Sequence, residues 1–220
     1  MRALVCCVQF SFVVLVSAVS SLAAPSAFAA DRAIEVKSSF ASAFMRMYGP
    51  SQPPYGFVRY CEGNPVACDP SGSADQRLQP TPLSLSELDE VNRSINRVIS
   101  PATDAEIYGV SEYWTLPTQR GDCEDYALLK QKILTSRGWP SSALLLTVVR
   151  DEKGEGHAVL TARTSQGDYI LYNKVDDVRL WNRSGYQFVM RQSYIDPKVW
   201  VSLDAGVNTP PGALAGVSGQ

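Results

Sequence analysis

At Gly138-Trp139-Pro140 the spacing of apolar residues changes period, and that change decides the class of fold open to this chain. Upstream, Leu88, Val91, Ile95, Val98 and Ile99 recur at helical intervals, with Ser86 as the expected N-cap, Asp89 three residues on and Pro101 as the stop. A second helix is expected from Gly121 to Arg137. Asp122 caps its start, Ala127, Leu128, Ile133 and Leu134 form its apolar side, and Gly138 and Pro140 end it. Downstream the period is two. Residues 143–150, 157–163, 169–173 and 186–191 are rich in β-branched and aromatic side chains and are separated by Gly, Asp and Ser clusters. Helices followed by strands define an α+β protein with a largely antiparallel sheet, placed here in residues 86–203.

The flanking segments read differently. Residues 1–30 combine Arg2, an apolar run from Leu4 to Leu22 and Ala27-Phe28-Ala29, the pattern of an export signal cleaved near Ala29 or Ala30. Residues 31–85 form a loop-rich wrap, because seven of the fourteen prolines fall between Pro50 and Pro82 and discourage long helices and interior strands. Residues 204–220 carry few bulky groups and are expected to form a flexible tail.

Charge and cysteine usage narrow the chemistry. With 20 basic and 22 acidic residues and a net charge of −2, the chain has no electrostatic grip on nucleic acid or anionic lipid. A single histidine excludes multi-histidine metal sites. Of five cysteines, Cys6 and Cys7 leave with the signal, so Cys61, Cys68 and Cys123 remain. Three cysteines allow three single pairings. Cys61 and Cys68 flank a short polar loop, and an exported protein meets oxidising conditions, so we pair them and leave Cys123 free.

That free thiol lies in Gly121-Asp122-Cys123-Glu124-Asp125-Tyr126-Ala127, in the first turn of the expected helix. Unpaired backbone N–H groups and the positive end of the helix dipole favour a thiolate there, so the thiol pKa is expected to fall. The same N–H groups suit an oxyanion developing on an attacked carbonyl. His157 opens a strand behind Lys153-Gly154-Glu155-Gly156 and is the one imidazole able to act as base. A lone cysteine is most often a small buried hydrophobe and a lone histidine a satisfied core or surface residue. Helix terminus, flanking acids and strand start together favour the reactive pair. A disulfide oxidoreductase is disfavoured, since Cys123 has no C-x-x-C partner. Trp114, Trp139, Trp181 and Trp200 are expected to serve packing, and Arg150, Arg163 and Arg179 to decorate solvated strand faces.

GDCEDYALLKQ and GHAVLTARTSQGDYILYN, together with YCEGNPVAC, VNRSINRVI, YGVSEYWTLPTQRGDCEDY and GYQFVMRQSYIDPKVWVSL, resemble the bacterial transglutaminase-like cysteine proteinases. The resemblance implies a papain/transglutaminase-like core, with Cys123 on a helix as nucleophile and His157 on the antiparallel sheet as general base. It also implies a periplasmic protein, a large surface adhesin as substrate and an inner-membrane receptor as regulator. Family members bind calcium through acids around the nucleophile, which map here onto Asp122, Glu124 and Asp125. Three carboxylates in four residues suit a hard cation, although successive helix positions diverge by about 100°.

The chain departs from the family at the third catalytic position. Where a Leu-Asp-Asn string is usual it reads Leu171-Tyr172-Asn173, so Tyr172 replaces the acid that would orient the imidazole. Asn173 is chemically adequate as a substitute, but it points to the opposite strand face unless the register shifts by one residue. Asp176 and Asp177 lie beyond the strand and are weaker candidates. The expected activity is hydrolysis of a protein substrate. The alternatives are a weakened pseudoenzyme that binds rather than cleaves, and a transamidase using the same acyl-enzyme chemistry.

Overall fold

The structure, a computed structural model, describes residues 42–69 and 75–206, so the expected export signal and most of the expected tail lie outside it. In chain order the elements are β1 (Gly49–Ser51), α1 (Tyr55–Gly63), α2 (Pro82–Val98), β2 (Ser100–Pro101), α3 (Asp104–Tyr108), β3 (Arg120–Gly121) and α4 (Cys123–Ser136). The strands β4 (Leu144–Arg150), β5 (Gly156–Thr164), β6 (Gly167–Leu171), β7 (Arg179–Leu180), β8 (Gln187–Gln192) and β9 (Trp200–Ser202) follow. Seven strands form one sheet in the order β1-β9-β8-β4-β5-β6-β7, and each neighbouring pair is antiparallel. The arrangement is α+β, with the cysteine-bearing helix packed on the histidine-bearing sheet. Among the described residues no helix is long and apolar enough to cross a membrane.

Strand alternation divides the apolar side chains between the two faces of the sheet. Leu144, Leu146, Val148, Leu160, Ala162 and Leu171 face α4 and α2, joining Leu88, Val91, Leu128 and Leu134 in the main core. Val149, Val159, Ile170, Tyr172 and Phe188 form a smaller cluster with Met45. Gly138, at φ +95°, turns the chain out of α4 as its position in the sequence suggested.

Three expectations need correction. Helix α2 starts at Pro82, not beyond Ser86: Thr81 is the N-cap, Thr81 and Ser84 form a reciprocal capping box, and Pro82 occupies the first turn, where its missing N–H is harmless. Arg163 is not on a solvated face. It is 2% exposed, donates to Ser142 O at 2.8 Å and pairs with Asp75 at 2.6 Å. The third concerns the Cys123 thiol and is described with the site. The Cys61–Cys68 disulfide is present, joining α1 to the turn at Pro65–Cys68.

Candidate active site

Helix α4 and strand β5 meet at their first residues. Cys123 is the first residue of α4, and the N–H of Ala158 on β5 donates to its Sγ at 3.3 Å. The nucleophile candidate therefore lies against the start of β5, one residue from His157. Just before the helix, a Cβ at Gly121 would sit 2.7 Å from Asp125 Oδ2 and 3.0 Å from Pro117 Cβ, so glycine makes room for those two side chains.

His157 is 6% exposed, and its Nε2 has no hydrogen-bond partner among the described residues. Tyr186 meets the imidazole edge-on at 5.7 Å between centroids, and Tyr172 meets Tyr186 at 5.6 Å. Burial, with Lys174 and Lys130 adding to it against the pull of Asp151, lowers the imidazole pKa to about 4. The ring is therefore neutral at pH 7, the form a general base requires.

The expected fall in the Cys123 pKa is overturned. Burial pushes the thiol well up, and the Glu124 and Asp122 carboxylates add to that by opposing a thiolate. The thiol donates to Glu124 Oε2 at 3.1 Å. The helix terminus is present, but burial and, after it, the two adjacent acids oppose the thiolate.

Those acids belong to a cluster that includes a residue not singled out from the sequence. One carboxylate oxygen each from Asp104, Asp122 and Glu124 lies within 4.8 Å of the others. Asp104 opens α3, and only a local Thr103–Glu106 capping box marked that place. Asp122 is the N-cap of α4 by backbone position, yet its side chain makes no cap hydrogen bond. Asp122 Oδ1 and Asp104 Oδ1 are buried without a partner, while Tyr113 N–H donates to Asp104 Oδ2. Burial lifts the Asp122 pKa to about 6 and also raises Glu124, with Asp122's charge adding to the latter. Asp125 stands apart: its Oδ1 accepts from Thr115 N at 2.9 Å, and burial raises its pKa to about 8. An all-oxygen set with buried, unpaired lone pairs fits a calcium ion and would supply part of its six to eight ligands.

On the histidine side, β6 pairs Leu171 with Leu160, which by alternation places Tyr172 on the His157 face. Asn173 follows beyond the end of the strand. Tyr172 Oη and Asn173 Oδ1 are both buried without a hydrogen-bond partner among the described residues. The backbone here is held from α2: Asn96 Nδ2 donates to Tyr172 O at 3.1 Å, and Asn92 Nδ2 to Asp176 O at 2.8 Å. Asp176 Oδ1 accepts from Asn96 and Asp177 pairs with Arg93, so both are turned to α2. Lys130 of α4 donates to Asn92 Oδ1 and Asn96 Oδ1, each at 2.8 Å, and ties the two sides together.

No curated protein matches the chain. Among solved structures, calcium-bound LapG of Legionella pneumophila is 25% identical, with 60% of this chain and 76% of that chain covered and a TM-score of 0.47. The EGTA-treated form of LapG is 27% identical, with 51% of this chain and 64% of that chain covered and a TM-score of 0.43. This chain thus spans just under two thirds of the EGTA-treated LapG chain. The model of the bacterial transglutaminase-like cysteine proteinases matches residues 47–208, and the chain belongs to that family.

Proposed function

We propose that the chain is a cysteine peptidase in which Cys123 is the nucleophile and His157 the general base. The observation that carries this reading is the contact of Cys123 Sγ with the N–H of Ala158, the residue that follows the neutral His157 on β5. His157 takes the thiol proton as Cys123 Sγ attacks the peptide carbonyl carbon. The imidazolium returns that proton to the departing amine, leaving a thioester. Water, deprotonated by His157, then releases the acid and restores the thiol. Free N–H groups in the first turn of α4 suit the developing oxyanion.

Asp104, Asp122 and Glu124 would hold a calcium ion; Asp125, whose Oδ1 accepts from Thr115, lies outside that set. Bound there, calcium would neutralise the carboxylates that oppose the thiolate. The family resemblance implies a surface adhesin as substrate, a periplasmic setting for the exported chain, and an inner-membrane receptor as regulator.

A pseudoenzyme is the second reading, favoured by Tyr172 at the position of the acid and by an Asn173 whose Oδ1 has no hydrogen-bond partner among the described residues. Hydrolysis of an unfolded protein in calcium separates the two. Cleavage by the wild type, lost in Cys123→Ser, is expected of the peptidase. An inert wild type that becomes active as Tyr172→Asp identifies the pseudoenzyme.

A further inference from the structure

The acid missing at Tyr172 has a counterpart elsewhere on the same sheet face. Val149 pairs with His157 and Arg150 with Gly156, and Asp151 N–H continues the ladder by donating to Glu155 O at 3.0 Å. Alternation puts the Asp151 side chain on the face of Val149 and His157. On the other side of β5, the chain leaving β6 reaches Lys174, whose Nζ lies 2.6 Å from Asp151 Oδ2. Because β4 and β6 flank β5, this ion pair crosses the start of the strand that carries His157. The Asp151 side chain is 2% exposed and that of Lys174 45% exposed.

Resting on the Cys123–His157 reading, we propose that Asp151 is the positioning carboxylate that supports the His157 imidazolium in place of the acid absent at Tyr172, with Lys174 setting how much of its charge reaches the ring. The groups facing His157 are few. Asp151 and Lys174 lie across the strand end, Lys130 acts from α4, and Tyr186 meets the ring with Tyr172 against it and Glu152 near the two tyrosines. Asp151 is the acid among them whose charge raises the imidazole pKa. A purely local role competes with this one, since Asp151 Oδ1 also accepts from Lys153 N and Glu155 N and shapes the turn.

The chain has one histidine, so the imidazole proton resonances titrate as a single reporter of His157. Asp151→Asn keeps the turn acceptor and removes the charge. It is expected to lower the His157 pKa by roughly half a unit or more, and Lys174→Met to raise it. In peptide hydrolysis Asp151→Asn should lower kcat about tenfold with KM unchanged and move the acid limb to lower pH, while Asp151→Glu recovers most of kcat. A His157 titration that neither Asp151→Asn nor Lys174→Met moves would overturn the proposal and leave Asp151 a turn former. The titration reads Asp151 without needing turnover, whereas a wild type that hydrolyses nothing counts against the peptidase reading itself.

Discussion

The two halves of the candidate site solve opposite electrostatic problems. At the cysteine end, Asp104, Asp122 and Glu124 crowd together, the two aspartates with buried, unpaired oxygens, and no cationic side chain is among them. At the histidine end, the one close carboxylate, Asp151, is matched by Lys174, and aromatic rings fill the remaining space. The first arrangement calls for a charge the chain does not supply; the second is balanced from within. The histidine end is therefore set on folding, while readiness of the thiol is open to control by a cation.

The comparison breaks most visibly if the two ends do not act together. His157→Ala should lower kcat roughly a thousandfold or more, as loss of a general base does in cysteine and serine hydrolases. Next comes the tie between the ends. Lys130 is fully buried and bonded to two amide oxygens, so Lys130→Met leaves both unpaired and is expected to cost about 3 kcal/mol in urea unfolding. A loss under about 1 kcal/mol would mean that the tie does not hold α4 to the loop after β6.

Calcium sharpens the contrast through pH. Asp122 and Asp125 have folded pKa values raised to about 6 and about 8, so between about pH 4 and pH 8 the folded chain binds more protons than the unfolded one. Stability of the chelated protein should accordingly fall as pH rises through that window. Added calcium should raise Tm more at pH 8 than at pH 5, and at a hundredfold excess over its Kd it should stabilise the fold by about 2.7 kcal/mol. An equal calcium effect at both pH values, or none, would remove the acidic end from the account. The smallest effect is the control. Opening the Cys61–Cys68 bridge by a double Cys→Ser change should cost about 2.5 kcal/mol, from loop entropy alone, and leave thiol reactivity at Cys123 unaltered.

What was legible in the sequence followed range. Strands β4, β5, β6 and β8 and the extent of α4 came from local periodicity, and the disulfide from a short loop between its cysteines. Cys123 and His157 were singled out by element ends, and the structure brings those ends together. The start of α2 was misplaced because Ser86 and Thr81 carry the same capping chemistry, and Pro82 decided between them. Asp104 escaped notice because its approach to Asp122 and Glu124 depends on how α3 docks, and no spacing rule encodes that. Burial of Arg163 likewise depends on Ser142 and Asp75, which are remote in sequence. The thiol pKa failed for a related reason: the helix-terminus rule is local, and it was outweighed by carboxylates and burial set by tertiary packing.

The most direct test is the rate of iodoacetamide alkylation of Cys123, the free cysteine of the described residues, in calcium at pH 6–7. We predict fast modification of the wild type and at least about tenfold slower modification of His157→Ala. Equal rates in the two proteins would contradict an activated Cys123–His157 pair.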